Sequence, residues 1–183
     1  YFAKVSGKYG NGCGGYAIDA QHVLTADHCT NNGYDRVTVN GSTVISATVV
    51  AHWPEIDTAV YLTAEPLGLD SYASPQTADL NQPGAMLGLC PRWVSRAQRI
   101  VQYQYNFPAW PERPYCQTWQ IAWLLFSCGG DSGGLLLQGG QVVGMPVAID
   151  DWDIKPGELI GNQVCVVPGE AIARRVEEWR GER

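Results

Sequence analysis

The sequence predicts an all-β chain built as two β lobes and finished by one C-terminal helix. Short runs rich in Val, Ile, Thr and Tyr recur between closely spaced turn signals, which is the rhythm of antiparallel strands. The stretch TAEPLGLDSYASPQTADLNQP at 63–83 breaks that rhythm and lacks any sustained period, so it reads as the connection between lobes. Only the end of the chain carries a helical period. We place the lobes at 1–68 and 69–183.

The elements follow in order. His22 stands just ahead of the apolar pair Val23-Leu24, at a strand start. Arg36 to Val49 reads as a hairpin around Asn40-Gly41, a pair that supplies the positive φ angles of a tight turn. Asn40-Gly41-Ser42 is also a glycosylation sequon, relevant only in a eukaryotic secretory pathway. The second lobe resumes at Ala85-Met86-Leu87-Gly88-Leu89. Tyr103 to Tyr115, with its prolines, reads as an exposed excursion between Cys90 and Cys116. After Pro168-Gly169, the residues Ile172, Val176 and Trp179 form one helical stripe, with Glu170 at the start and arginines near the end, as the helix dipole favours.

At 183 residues the chain is long enough to bury a sizeable core. A net charge of -6 argues against a nucleic-acid partner, because phosphate binding needs basic patches. It also argues against an electrostatic membrane anchor. The longest apolar runs, such as Ile121 to Phe126, are far too short to span a bilayer. The cysteine count is even, at 6, with no CxxC pair. His28 and Cys29 are adjacent, but neighbouring residues rarely converge on one tetrahedral zinc, so no metal and no cofactor is expected. Disulfides fit better and imply an oxidising compartment, secreted or periplasmic. The chain begins at Tyr1, which is expected of a processed, exported form.

The segment CGGDSGG at 128–134 surrounds one aspartate and one serine with four glycines. Glycine is costly in regular structure, so this density points to an unusual backbone path or a close approach. A serine hydroxyl becomes a good nucleophile only when a base takes its proton. Acyl transfer then builds charge on the carbonyl oxygen, which backbone N–H groups stabilise. Ser132 is therefore the candidate nucleophile, and the N–H groups of Gly130 and Ser132 the candidate oxyanion hole. The bland alternative is a glycine-rich turn. Among three histidines, His28 in VLTADHC is best placed as the base, since Cys29 would tie down its segment and Cys13 in GCGG is a natural partner across a short loop. Asp57, just ahead of the strand-like TAVYL, is the candidate for the orienting carboxylate: partly buried there, it needs a partner, and an imidazole N–H is one.

GCGGYAI, VLTADHC, DTAV and CGGDSGG, in that order, resemble the trypsin/chymotrypsin-like serine proteases, whose catalytic order is His, Asp, Ser. The likeness extends more loosely to LNQPGAMLG, LLLQGGQVVGMPV and the terminal helix. It implies two packed antiparallel β-barrels and a serine endopeptidase in which Ser132 attacks a peptide carbonyl, His28 relays the proton and Asp57 orients His28. It implies disulfides Cys13–Cys29, Cys128–Cys165 and Cys90–Cys116. The expected partners are a protein or peptide substrate and a protein inhibitor, with the enzyme itself a monomer.

The chain departs from that family in several places. Its first residues, YFAKVSG, lack the Ile-Val-Gly-Gly type terminus that pairs the aspartate before the nucleophile in animal members. By likeness to bacterial members, Arg92 is the expected cation for Asp131. By the same likeness, Phe126 is expected at the floor of the primary pocket, with Ser127, Val147 and Ala148 along its walls, and an aromatic floor would favour small or neutral substrate side chains. The acidic run Asp150-Asp151-Trp152-Asp153 is either a basic preference restored from the side or a solvated loop. Val147 stands where relatives often carry a serine that supports the triad aspartate, and Asp27 replaces a small residue before the histidine. Two competing readings are a non-catalytic homologue used as a binding module and an enzyme active only after processing or partner binding.

Overall fold

A computed structural model describes residues 2–8, 11–79, 82–89, 95–102, 120–124, 130–150 and 162–182. Strands β1 (Phe2–Ser6), β2 (Gly12–Ala17), β3 (His22–Thr25), β4 (Arg36–Val39), β5 (Thr43–Trp53) and β6 (Thr58–Thr63) close into one barrel, in the spatial order β1-β2-β3-β6-β5-β4. All pairings are antiparallel, and β1 completes the circle by pairing with both β2 and β4. The expected hairpin is β4–β5. Asn40 and Gly41 both take positive φ, 52° and 74°, matching the right-handed twist of the flanking strands. β5 runs on beyond the expected end to Trp53 and carries a register shift between Val49 and Ala51.

The second barrel contains β7 (Gly84–Leu87), β8 (Ser95–Gln102), β9 (Gln120–Leu124), β10 (Leu135–Gln138), β11 (Gln141–Asp150) and β12 (Asn162–Pro168), in the order β10-β11-β12-β9-β8-β7. Among the described residues no strand lies between Thr63 and Gly84, as the composition of 63–83 predicts. The fold is chymotrypsin-like: two antiparallel barrels and a terminal helix.

Burial follows the two-residue period of a strand. Val23 points into the first barrel with Val5, Val37, Ile45 and Tyr61. Its neighbour Leu24 points the other way, into a core shared between the lobes with Tyr16, Val60, Leu135, Met145 and Val147. The interior of the second barrel holds Met86, Leu136, Val143, Val164 and Val166. A strand buried on both faces reads as an unbroken apolar run, and Val23-Leu24 is one.

Helix α1 (Gly169–Gly181) buries Ile172 and Val176 in the shared core, with Trp179 partly covered. Its outer face reaches the first lobe. Arg175 pairs with Glu55 at 2.7 Å, Arg180 pairs with Asp19 at 3.0 Å, and Trp179 meets the His22 ring edge-on at 5.2 Å.

Candidate active site

The histidine is fixed from both sides of its own segment. Cys29 and Cys13 form a disulfide that ties the 3-10 turn Asp27–Asn32 to β2, with Cα atoms 6.3 Å apart. The turn is short because Gly33 ends it in the left-handed conformation, φ 65°. A second 3-10 turn, Pro54–Ile56, delivers Asp57. Asp57 itself takes φ 44° and ψ 48°, uncommon for a residue with a side chain. That backbone twist aims its carboxylate back at His28, and the residue is 3% exposed. Oδ2 lies 2.7 Å from His28 Nδ1, and Oδ1 accepts the His28 backbone N–H at 2.8 Å. A carboxylate facing Nδ1 holds the proton on that nitrogen and leaves Nε2 as the acceptor. The ring is partly exposed, so Nε2 is not sealed in the core.

The glycines of CGGDSGG answer to the close approach of the first lobe. The Gly14 N–H donates to the Gly130 carbonyl at 3.0 Å. A side chain on Gly14 would begin 2.7 Å from the Gly134 Cα. One on Gly133 would collide with the Gly14 carbonyl oxygen and Thr25 Oγ1, and Gly133 adopts φ 78° besides. Thr25 Oγ1 donates to the same Gly14 carbonyl at 2.7 Å. The serine turn therefore lies backbone-to-backbone on the strand end that precedes His28. The Gly133 N–H donates to the Pro146 carbonyl of β11 at 2.8 Å, and within the turn the Gly134 N–H donates to the Asp131 main-chain carbonyl at 2.9 Å. Asp131 is 2% exposed beside Gly88, where any side chain would strike its carboxylate.

Ser132 is half-buried, and its hydroxyl donates to the Val147 carbonyl at 3.4 Å. Among the described residues it makes no hydrogen bond to His28. The structure thus brings His28 and Asp57 into direct contact and sets the Ser132 turn against the segment just before His28. Gly130, the other expected oxyanion donor, has φ 103° and sits at the head of that turn. Val147 is buried in β11, and Ala148 follows it on the same strand. Arg92, Phe126, Ser127, Cys90, Cys116 and Cys128 lie outside the described residues. Cys165, on β12, is disulfide-bonded.

Cys13, His28 and Cys29 have donor atoms within 4.8 Å of one another. They do not suit a metal. Both sulfurs are committed to the disulfide, so no thiolate exists, and His28 Nδ1 is taken by Asp57. The other histidines serve elsewhere. His22 Nδ1 lies 2.7 Å from Asp19 Oδ1 under the helix. His52, on β5, faces Asp27 at 3.6 Å. That last pairing was not legible beforehand, because it depends on β5 continuing past the hairpin to bring position 52 beside position 27.

Two closed antiparallel barrels, with an imidazole–carboxylate pair on the first and a glycine-rich serine turn on the second, have the trypsin-like protease fold. Residues 1–64, the whole first barrel, match the protein family described as Trypsin. Among solved structures, the chain is similar to the Rv3671c protease in its inactive form, at 20% identity and TM-score 0.69 over 97% of this chain and 87% of that one. It is likewise similar to a serine-to-alanine mutant of Rv3671c from M. tuberculosis H37Rv, also an inactive form, at 19% identity and TM-score 0.69, covering 97% and 85%. The active form of the M. tuberculosis protease aligns at 19% identity and TM-score 0.62, over 93% and 76%. No curated protein matches the sequence. The resemblance to trypsin/chymotrypsin-like serine proteases read from the motifs is borne out.

Proposed function

We propose that the chain is an exported serine endopeptidase working through Ser132, His28 and Asp57. The observation that carries this reading is the buried Asp57 carboxylate bonded both to the His28 ring and to its backbone. A buried carboxylate needs partners, and this one orients a partly exposed imidazole whose Nε2 can take a proton. In the proposed reaction Ser132 Oγ attacks the scissile carbonyl carbon while its proton passes to His28 Nε2. The carbonyl oxygen becomes an oxyanion stabilised by the N–H groups of Gly130 and Ser132. Collapse expels the amine, which takes the proton from His28, and water repeats the sequence to free the acid. Asp57 stabilises the imidazolium throughout. The Cys13–Cys29 disulfide supports an oxidising compartment. The aromatic Phe126, six residues before Ser132, favours a substrate with a small or neutral side chain before the cleaved bond.

A second reading has one observation in its favour. The Ser132 hydroxyl donates to Val147, so reaction requires it to rotate toward His28. That suits an enzyme that becomes competent on substrate binding or processing. Fluorophosphonate labelling tests both. Labelling of the wild type and none of Ser132→Ala supports the protease. Labelling only after mild proteolysis or with added peptide supports the second reading. No labelling under any condition rejects both in favour of a binding module.

A further inference from the structure

We propose that Asp27 is a positioning residue for His28, poised by His52, so that a second carboxylate–imidazole pair sets the pH range in which the triad works. The inference rests on the protease reading above. Asp27 is the first residue of the 3-10 turn that carries His28. Its Oδ1 is buried with no hydrogen-bond donor in reach among the described residues. His52 Nδ1 lies 3.6 Å from it, just too far for a hydrogen bond. A buried carboxylate oxygen without a donor is costly, and its position beside the proposed base gives that cost a use. His52 is largely exposed, free to move the few tenths of an ångström that would close the contact.

The charges around Asp27 pull in opposite directions. Burial pushes its carboxyl above the usual carboxylate range. Asp57, just after the Pro54–Ile56 turn, and Glu55, on it, push the same way, while His52 and His28 oppose them. Tyr61 on β6 also feels Asp27; burial first, and then neighbours that include Asp27, raise its phenol to about 12. Asp27 thus holds a proton to higher pH than a free aspartate would. Once ionised, it adds a second negative charge beside the ring that must become an imidazolium during catalysis. Losing that charge removes support for the imidazolium, so the neutral, proton-accepting ring persists to lower pH.

The test follows Asp27 itself and the pH profile of acylation, in wild type, Asp27→Asn and His52→Ala. Carboxyl carbon NMR should show Asp27 titrating above the ordinary carboxylate range, and higher still in His52→Ala. In Asp27→Asn the acid limb of fluorophosphonate labelling should move to lower pH by about half a unit or more. An Asp27 that titrates as a free carboxylate, or superimposed labelling profiles for wild type and Asp27→Asn, would overturn the inference while leaving the protease intact. A wild type that never labels, with Asp27 titrating high, would instead remove the protease reading and the positioning role with it. Asp27→Asn keeps the side-chain shape and His52 is exposed, so both variants are expected to fold.

Discussion

Asp57 grips His28 twice, through the ring Nδ1 at 2.7 Å and through the backbone N–H at 2.8 Å. The first contact chooses the tautomer. The second fixes where the ring stands, since it anchors the main chain that bears it. Asp57→Asn replaces one acceptor oxygen by a donor NH₂, which either repels the His28 N–H or forces the ring proton onto Nε2. If the triad works as proposed, the expected result is a fall of about 10⁴-fold in acylation rate, the scale known for the same change in Ser-His-Asp triads, with the thermal midpoint changed by little. Ester hydrolysis and a melting curve on the same preparation check it; a loss below tenfold would disconnect Asp57 from the chemistry.

Gly133→Ala should fail for structural reasons. The new methyl would meet the Gly14 carbonyl and Thr25 Oγ1, at a φ of 78° that side chains rarely adopt. Overpacking and left-handed strain together suggest a stability loss of about 2 kcal/mol or more. Urea denaturation measures it, and a variant as stable as wild type would show that the seam between lobes has room for a methyl group. By contrast, Gly139→Ala meets no atoms, and only its φ of 54° opposes it.

The disulfide closes a separation of 16 residues. Replacing Cys13 and Cys29 together by serine should cost about 3 kcal/mol in the chain-entropy account. Because Cys29 follows His28 directly, labelling should fall more steeply than the folded fraction does. Comparing labelling at equal folded fraction separates the two effects; equal specific labelling would mean the bridge merely stabilises.

Asp19 makes stability depend on acid. Burial alone would raise its carboxyl, but the Gln21 backbone N–H, His22 and Arg180 outweigh it and hold the group below its ordinary value. A carboxyl depressed in the folded state contributes stability above its unfolded pKa and loses it as pH falls through the folded one. Asp19→Asn should therefore be less stable than wild type near neutrality and converge with it toward pH 3. Melting temperatures across that range decide the matter, and parallel curves would refute the linkage.

Much of this architecture was readable in the residues, for local reasons. Asn40-Gly41 and the Ile172/Val176/Trp179 stripe obey short-range rules, so hairpin and helix emerged where expected. His28 and Asp57 were legible because chemistry limits which residue types can serve and the chain offers few histidines. The 3-10 turns at Asp27–Asn32 and Pro54–Ile56 were not, being too short for a period to register. Nor was the Ser132 hydroxyl's contact with Val147, which depends on β11 passing beneath the turn. The Asp27–His52 pairing likewise arises from strand length and register, which no local motif encodes.

At Gly14, Gly133 and Gly134 the lobes meet largely through main chain. Peptide groups cannot change rotamer, so the contact between the lobes has no soft joint there. Redesign of the outer loops for new substrates could then proceed without disturbing the distance between the halves. Bulk introduced at the seam would wedge them apart like a shim in a vice.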